Sequence, residues 1–212
     1  MGRSNIRIVA FDFDGTLSQS DGSWRKLHRY FGTKEMSKIN LGLYEKGAID
    51  YPEFMRRDIA SWPNDLRISR VREILSDRFQ MDPDAGPVIS EIKKRGLKVA
   101  IISAGLDILV SKKGEELGAD HVLANGLETD ENGLLTGEGI FRVDLIRKDL
   151  ALISLLGSIG LTADQCLSVG DSKYDSNFLT ASGRSAAIHG DEELESVATY
   201  VLTKLTDVLN YI

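Results

Sequence analysis

The sequence predicts an α/β chain: a Rossmann-like parallel-sheet core with a helical insertion after its first strand. Three observations carry this prediction. Short apolar runs at Ile6–Phe11, Leu97–Ile102, Gln165–Val169 and Arg184–His189 alternate with stretches of helical periodicity, the pattern of βαβ units. Between Ser20 and Met81 only helical patterns occur, over a length too great for a simple loop. Three of the apolar runs also end in Asp, Ser or Gly-Asp, at the carboxyl ends where open α/β sheets receive ligands.

The first run, Ile6–Phe11, has no polar face apart from Arg7 and reads as a buried strand. It is closed by Asp12-Phe13-Asp14-Gly15-Thr16. Aspartate is a poor strand former, so two at a strand end call for another reason. A carboxylate there is a competent nucleophile towards phosphorus if a divalent cation neutralises the incoming phosphate. A second acid two residues on can protonate the leaving alkoxide and then deprotonate the attacking water. Gly15 permits a tight turn, and the Thr16 hydroxyl can meet phosphate oxygens. The plain alternative is a strand–turn junction with Asp14-Gly15 as turn formers.

The insertion reads as helices Ser23–Phe31, Thr33–Lys46, Tyr51–Ser61 and Ile68–Phe79. Asp50 is the N-cap of the third, with Pro52 in its first turn. Such a cap would close over Asp12 and exclude water. The expected boundaries are 1–17 and 82–212 for the catalytic core and 18–81 for the cap. Asp84–Arg95 reads as a helix ending at Gly96, and Leu97–Ile102 as a buried strand. Ser103-Ala104-Gly105 then leads into a helix reaching about Leu117. A hydroxyl at a strand end beside a helix N-terminus suits phosphate, although Ser103 could equally be a helix cap.

Asp120–Asn125 is expected as a short strand and Leu127–Gly139 as a small β-hairpin turning at Asp130–Gly133. A helix from about Asp144 to Gly160 carries Arg147 and Lys148, and a lysine there is by default solvated surface. Gln165–Val169 is another buried strand, ending in Gly170-Asp171-Ser172-Lys173-Tyr174-Asp175. Asp175 could serve simply as the N-terminal acid of a helix over Asn177–Ser182. A strand at Arg184–His189 and a helix–strand–helix stretch complete the chain, with His189-Gly190-Asp191 as a helix cap.

Composition limits the functional classes. The chain has 212 residues, 42% hydrophobic and 27% charged, as in a globular protein with a real core. A net charge of −6 gives no electrostatic reason to expect nucleic acid or an anionic membrane. No apolar run approaches a membrane span, there is no signal-like segment, and the single Cys166 suits a cytoplasmic, reducing compartment. Cys166 lies in an apolar segment and is read as a buried structural thiol. A monomer or homodimer acting on a small molecule is expected.

Asp12-Phe13-Asp14-Gly15-Thr16-Leu17 resembles the first motif of the haloacid dehalogenase (HAD) superfamily. Ser103, Lys148 and Gly170-Asp171 with Asp175 are similar to its second, third and fourth motifs, in order. The helical cap, Ser103–Asp107, Leu123–Asn125 and the hairpin around Gly133 resemble the phosphoserine phosphatase branch. The resemblance spans essentially the whole chain. It implies a Mg²⁺-dependent phosphomonoesterase acting through an aspartyl-phosphate on Asp12, with Asp14 as general acid and base. Ser103, Ala104, Gly105, Thr16 and Lys148 would then bind phosphate. Asp12, Asp171 and the Asp14 backbone carbonyl would hold the metal, and Asp175 would orient Lys148 or a metal-bound water, or itself serve as an occasional metal ligand. The presence of Asp14 favours phosphate-ester hydrolysis over carbon–halogen cleavage. A phosphomutase, or a non-catalytic binding protein on the same fold, is the alternative.

For the substrate, the resemblance implies a cap glutamate, matched by the shorter Asp21, and a cap arginine, matched by Asp58. Arg56 and Arg57 are adjacent candidates for the arginine's role, although on a helix they point elsewhere than Asp58. An asparagine of the branch's fourth motif is Tyr174 here. Trp24 could touch the leaving group or belong to the cap core.

Overall fold

The computed structural model of the protein describes residues 5–212. Strand β1 (Ile8–Phe11) is wholly buried and is flanked by β2 (Lys98–Leu106) and β5 (Cys166–Gly170), both parallel to it. Phe11 lies level with Ile101 on one side and Val169 on the other. The residues that follow, Asp12, Ser103 and Asp171, therefore emerge together at the carboxyl end of the central strands. Strands β3 (His121–Thr129) and β4 (Leu135–Ile140) continue beyond β2, and β6 (Arg184–Ile188) and β7 (Tyr200–Leu202) beyond β5. Among the described residues the order is β4-β3-β2-β1-β5-β6-β7, antiparallel only between β3 and β4.

The period-2 alternation of β1 divides the core. Val9 and Phe11 pack on one face with Val99, Ile101, Leu167 and the apolar side of α5 (Ala85–Lys94). Ile8 and Ala10 pack on the other face with Ala100, Ile102 and Cys166. There they meet Leu152 and Leu156 of α7 (Lys148–Ser158) and Phe178 of α8 (Ser176–Thr180). Each such Leu or Ile contributes about 1.5–3 kcal/mol through burial. A further helix, α6 (Asp107–Leu117), follows β2, and α9 (Glu192–Val197) is capped by the Asp191 carboxylate, which accepts from Leu194 N at 2.9 Å. No helix among the described residues is long and apolar enough to cross a membrane.

The insertion after β1 consists of α1 (Ser23–Phe31), α2 (Lys34–Glu45), α3 (Tyr51–Ala60) and α4 (Ile68–Ser76). Asp50 caps α3 by accepting from Glu53 N at 2.9 Å, with Pro52 in the first turn. The chain enters and leaves the insertion side by side: Gln19 N donates to Gln80 O at 3.0 Å, and Asp82 N to Leu17 O at 2.9 Å. The two crossings form a short ribbon at the edge of the core.

Three boundaries differ from expectation. β2 does not stop at Ile102 but stays extended to Leu106, whose N–H donates to Ser23 Oγ at 2.8 Å. Ser103 is accordingly a strand residue and not a helix cap. β3 is one continuous strand that changes partner midway: Asn125 pairs with Leu106 of β2, and Gly126 with Ile140 of β4. α7 begins at Lys148 because Asp144 Oδ1 accepts from Ile146 N and Arg147 N, each at 2.9 Å. This local turn competes with the helix for those amides.

Candidate active site

Asp12 is 4% exposed and sits at the centre of a buried ion-paired group. Lys148 Nζ, at the first position of α7, lies 2.7 Å from Asp12 Oδ1 and 2.6 Å from Asp175 Oδ1. The other oxygen of Asp175 accepts from Asp171 N and Ser172 N, each at 3.1 Å. Asp175 therefore has both oxygens engaged, fixing Lys148 and the turn that carries Asp171. Lys148 is buried, which disfavours its charge, but Asp12 and Asp175 more than offset this and hold it above the ordinary lysine range. Burial raises the Asp12 carboxyl well above the usual carboxylate range. Lys148 opposes the shift, while Asp175 and Asp171 add to it.

Asp14 follows the turn at Phe13. Burial, and secondly the charge of Asp12, push its carboxyl up to about 7. Its Oδ1 is buried without a hydrogen-bond partner among the described residues. The adjoining Gly15 has φ of +89°, and a Cβ there would lie 2.1 Å from Asp171 Oδ2. Glycine at this position meets both a backbone and a space requirement. Gly105 is needed for space alone: a Cβ would lie 2.9 Å from Asp14 Oδ2 and 3.0 Å from Ser103 Oγ.

Asp12, Asp171 and Asp175 offer carboxylate oxygens within 4.8 Å of one another. Burial and the charge of Asp175 also push Asp171 up to about 6. Crowded, desolvated carboxylates with an oxygen-only donor set match a hard divalent cation such as Mg²⁺. Asp12 and Asp171 have the capacity to hold it directly, while Asp175 is committed elsewhere. The Thr16 hydroxyl donates to Asp171 Oδ1 at 3.0 Å and braces that carboxylate. Ser103 Oγ accepts from Gly105 N at 3.0 Å inside the same pocket.

Above these groups lies a cavity of about 190 Å³ between core and insertion. Trp24, Leu41, Tyr51 and Phe54 wall it, together with Tyr174 from the core side. Trp24 Nε1 donates to Ala104 O at 3.0 Å, and Tyr51 OH lies 3.4 Å from the same oxygen. Asn125 Nδ2 also donates to it at 3.0 Å. The indole of Trp24 thus both touches the cavity and packs into the helical layer, with Trp62 at 5.5 Å between ring centroids.

Arg56 and Arg57 do not reach the cavity. Both side chains are about half exposed and pair with Glu53 on their own helix, Arg56 also with Glu138. They leave α3 away from the cavity, and neither is placed to touch a molecule bound in it. Asp58 lines the cavity wall yet is buried, its Oδ1 accepting from Asn40 Nδ2 at 2.8 Å and its Oδ2 lying 3.0 Å from His28 Nε2. Asp21 is at the rim, paired with Arg29. Sequence reasoning missed Arg25, which also lines the cavity, and Asn125, whose Oδ1 accepts from Arg142 N and Val143 N. An asparagine inside an apolar strand run was the available signal for the latter.

Residues 9–180 match the haloacid dehalogenase-like hydrolase family. The chain belongs to this family. It is phosphoserine phosphatase-like: a phosphoserine phosphatase of Methanocaldococcus jannaschii is 28% identical over 209 residues, covering 97% of each chain. A solved substrate-bound phosphoserine phosphatase complex superposes with a TM-score of 0.81 at 28% identity, covering 98% of both chains. A phospho-aspartyl intermediate analogue of phosphoserine phosphatase matches with a TM-score of 0.80 at 28% identity, covering 98% of this chain and 99% of that one. The haloacid dehalogenase-like chain is thus a phosphatase of the phosphoserine phosphatase-like kind, with a buried Asp cluster suited to metal.

Proposed function

We propose that this phosphatase hydrolyses a small phosphorylated metabolite, phosphoserine first among the candidates, with Mg²⁺ held by Asp12, Asp171 and the Asp14 carbonyl. The observation that carries the reading is the pair of strand-end carboxylates in different environments. Asp12 is gripped by Lys148, while Asp14 titrates near neutrality. An acid with a pKa close to 7 is suited both to donate and to accept a proton at that pH.

In the first half-reaction an Asp12 oxygen attacks phosphorus, the P–O bond to the alcohol breaks, and Asp14 gives its proton to the departing oxygen. In the second, Asp14 takes a proton from water as that water attacks the phosphorus of the aspartyl-phosphate. Inorganic phosphate leaves and Asp12 is regenerated. A bound divalent cation supplies charge neutralisation for the phosphoryl oxygens. Lys148 holds Asp12 in position, and Ser103 with the neighbouring backbone receives the phosphate. Residues 18–81 act as a cap, with Trp24 and Tyr51 seating the helices on Ala104 and excluding water from the reacting atoms.

The test is phosphate release from a panel of metabolite phosphates in Mg²⁺ and in EDTA. Release is expected in Mg²⁺ only, and Asp12→Asn is expected to abolish it while circular dichroism and melting remain those of a folded chain. Turnover by Asp12→Asn at the wild-type rate would remove Asp12 as the nucleophile.

A further inference from the structure

We propose that Tyr44 and Glu45, the last two residues of α2, are positioning residues for phosphoryl transfer. Tyr44 fixes the turn that starts α7 and thereby Lys148, and Glu45 fixes the turn from Ser172 to Asp175 and thereby Asp171. The inference rests on the phosphatase reading above and assigns to the insertion a part in setting the geometry of the core groups.

Lys148 is the first residue of α7, so the place of its ammonium follows from the turn that precedes the helix. That turn is organised by one carboxylate oxygen, Asp144 Oδ1, which accepts from Ile146 N and Arg147 N at 2.9 Å each. The Tyr44 hydroxyl donates to the same oxygen and accepts from Ile146 N at 3.3 Å. Its ring is buried, stacked on Phe54 and edge-on to Tyr51, with 5.3 Å between centroids in both pairs. The hydroxyl is therefore aimed by a packed ring. Burial, and then the bond to Asp144, hold it above the ordinary tyrosine range, so it keeps its proton at neutral pH.

Glu45 does the corresponding work at the other turn. Its Oε1 accepts from Tyr174 OH at 2.8 Å and lies 3.1 Å from Lys173 Nζ. Lys173–Asp175 is a single 3-10 turn, and Asp175 ties its inner side to Asp171 N and Ser172 N. Glu45 holds the outer side. The bond from a phenol to a carboxylate is charge-assisted, whereas the solvated pair with Lys173 contributes little. The two turns meet each other through Asn177 Nδ2, which donates to Ile146 O at 3.0 Å, and through the Lys148–Asp175 bond. The end of α2 thus spans a seam across which Lys148 keeps bonds of 2.7 Å to Asp12 and 2.6 Å to Asp175. A displacement of about 1 Å at such a site costs on the order of 10²-fold in rate. The insertion is already seated on β2 through Ser23, Trp24 and Tyr51, so Tyr44 and Glu45 are not needed merely to hold it there.

The experiment makes two measurements on the wild type and on Tyr44→Phe, Glu45→Ala and Glu45→Gln. These are kinetics with L-phosphoserine and p-nitrophenyl phosphate in Mg²⁺, and amide hydrogen exchange of the metal-free protein. Tyr44→Phe is expected to lower kcat for both esters by about 10- to 100-fold with KM within about 3-fold, and to speed exchange at Ile146 and Arg147. Glu45→Ala should lower kcat likewise and speed exchange at Asp171 and Ser172 by about 10-fold, as for a lost hydrogen bond. Glu45→Gln keeps an acceptor for Tyr174 and should recover part of both. Tyr174→Phe added to Glu45→Ala should lower kcat no further, because the two remove the same bond. Residues that only held the insertion in place would, on substitution, raise KM or lower the melting temperature and leave kcat alone. That result, or a fall in kcat with exchange unchanged at these amides, would overturn the inference while leaving the phosphatase reading in place. Should Tyr44→Phe not fold, Glu45→Ala, at the exposed end of α2, carries the test. Absence of Mg²⁺-dependent release by the wild type from either ester would sink the phosphatase reading, and this inference with it.

Discussion

At the scale of single residues, the site depends on one acid being unlike its neighbour. Asp12 is paired with Lys148, whereas Asp14 has an oxygen without a hydrogen-bond partner among the described residues and a carboxyl held near neutrality by burial and by Asp12. Asp14→Asn keeps the shape and removes the proton. It is expected to slow both formation and hydrolysis of the phospho-enzyme by about 10²–10⁴-fold, read by rapid-quench measurement of each half-reaction. Equal wild-type rates in both would remove Asp14 from proton transfer. Residues of this kind were legible in the sequence because they end strands, where burial and chain direction leave little freedom. Arg25, Arg56 and Arg57 were not, since side-chain direction on a helix follows from which face the rest of the molecule covers. Spacing from Asp58 placed the two outer arginines near the substrate in sequence, but the packing of α3 turned them to Glu53.

At the scale of elements, helices α1, α2 and α3 are joined by a buried polar cluster of His28, Asn40 and Asp58, each no more than 3% exposed. His28 Nδ1 also lies 2.7 Å from Thr33 Oγ1. Asp58→Ala strands Asn40 Nδ2 in the interior and removes the carboxylate 3.0 Å from His28 Nε2, and is expected to cost about 2–4 kcal/mol in urea denaturation. An effect below about 0.5 kcal/mol would mean that the cluster is dispensable. The elements themselves were largely readable from periodicity. The departures have local causes: the Asp144 turn delays α7, and the Ser23 contact with Leu106 keeps β2 extended. Both depend on side-chain hydrogen bonds, to which a hydrophobic pattern is blind. The shift matters for chemistry, because it puts Lys148 at the start of α7, facing Asp12, instead of within the helix body.

For the whole molecule, the carboxylate cluster ties stability to pH and to metal. Asp14 and Asp171 are displaced from an ordinary value of 3.8 to about 7 and about 6, and Asp12 is raised as well. Between about pH 4 and pH 7 these groups therefore hold more protons in the folded, metal-free protein than in the unfolded chain. The stabilisation these groups contribute is complete below about 3.8 and is lost as pH rises through 6 to 7. The melting temperature in EDTA is expected to fall across that interval. Saturating Mg²⁺ should restore it most at the upper end, where the cluster is ionised. A melting curve that is flat with pH in EDTA would contradict the burial of these charges.

The paired crossings at Gln19–Gln80 and Leu17–Asp82 have a consequence for how such a chain can diversify. To the sheet, residues 18–81 amount to a closed loop whose ends already meet, so their length and contents are not coupled to strand register. The strand-end carboxylates and Lys148 sit on the continuous part of the chain, and the cavity walls Trp24, Leu41, Tyr51 and Phe54 sit within the closed loop. A helical cassette grafted at these two crossings, with Tyr44 and Glu45 kept, would carry a new preference onto unaltered chemistry. Selectivity and reactivity are in this way separately inheritable.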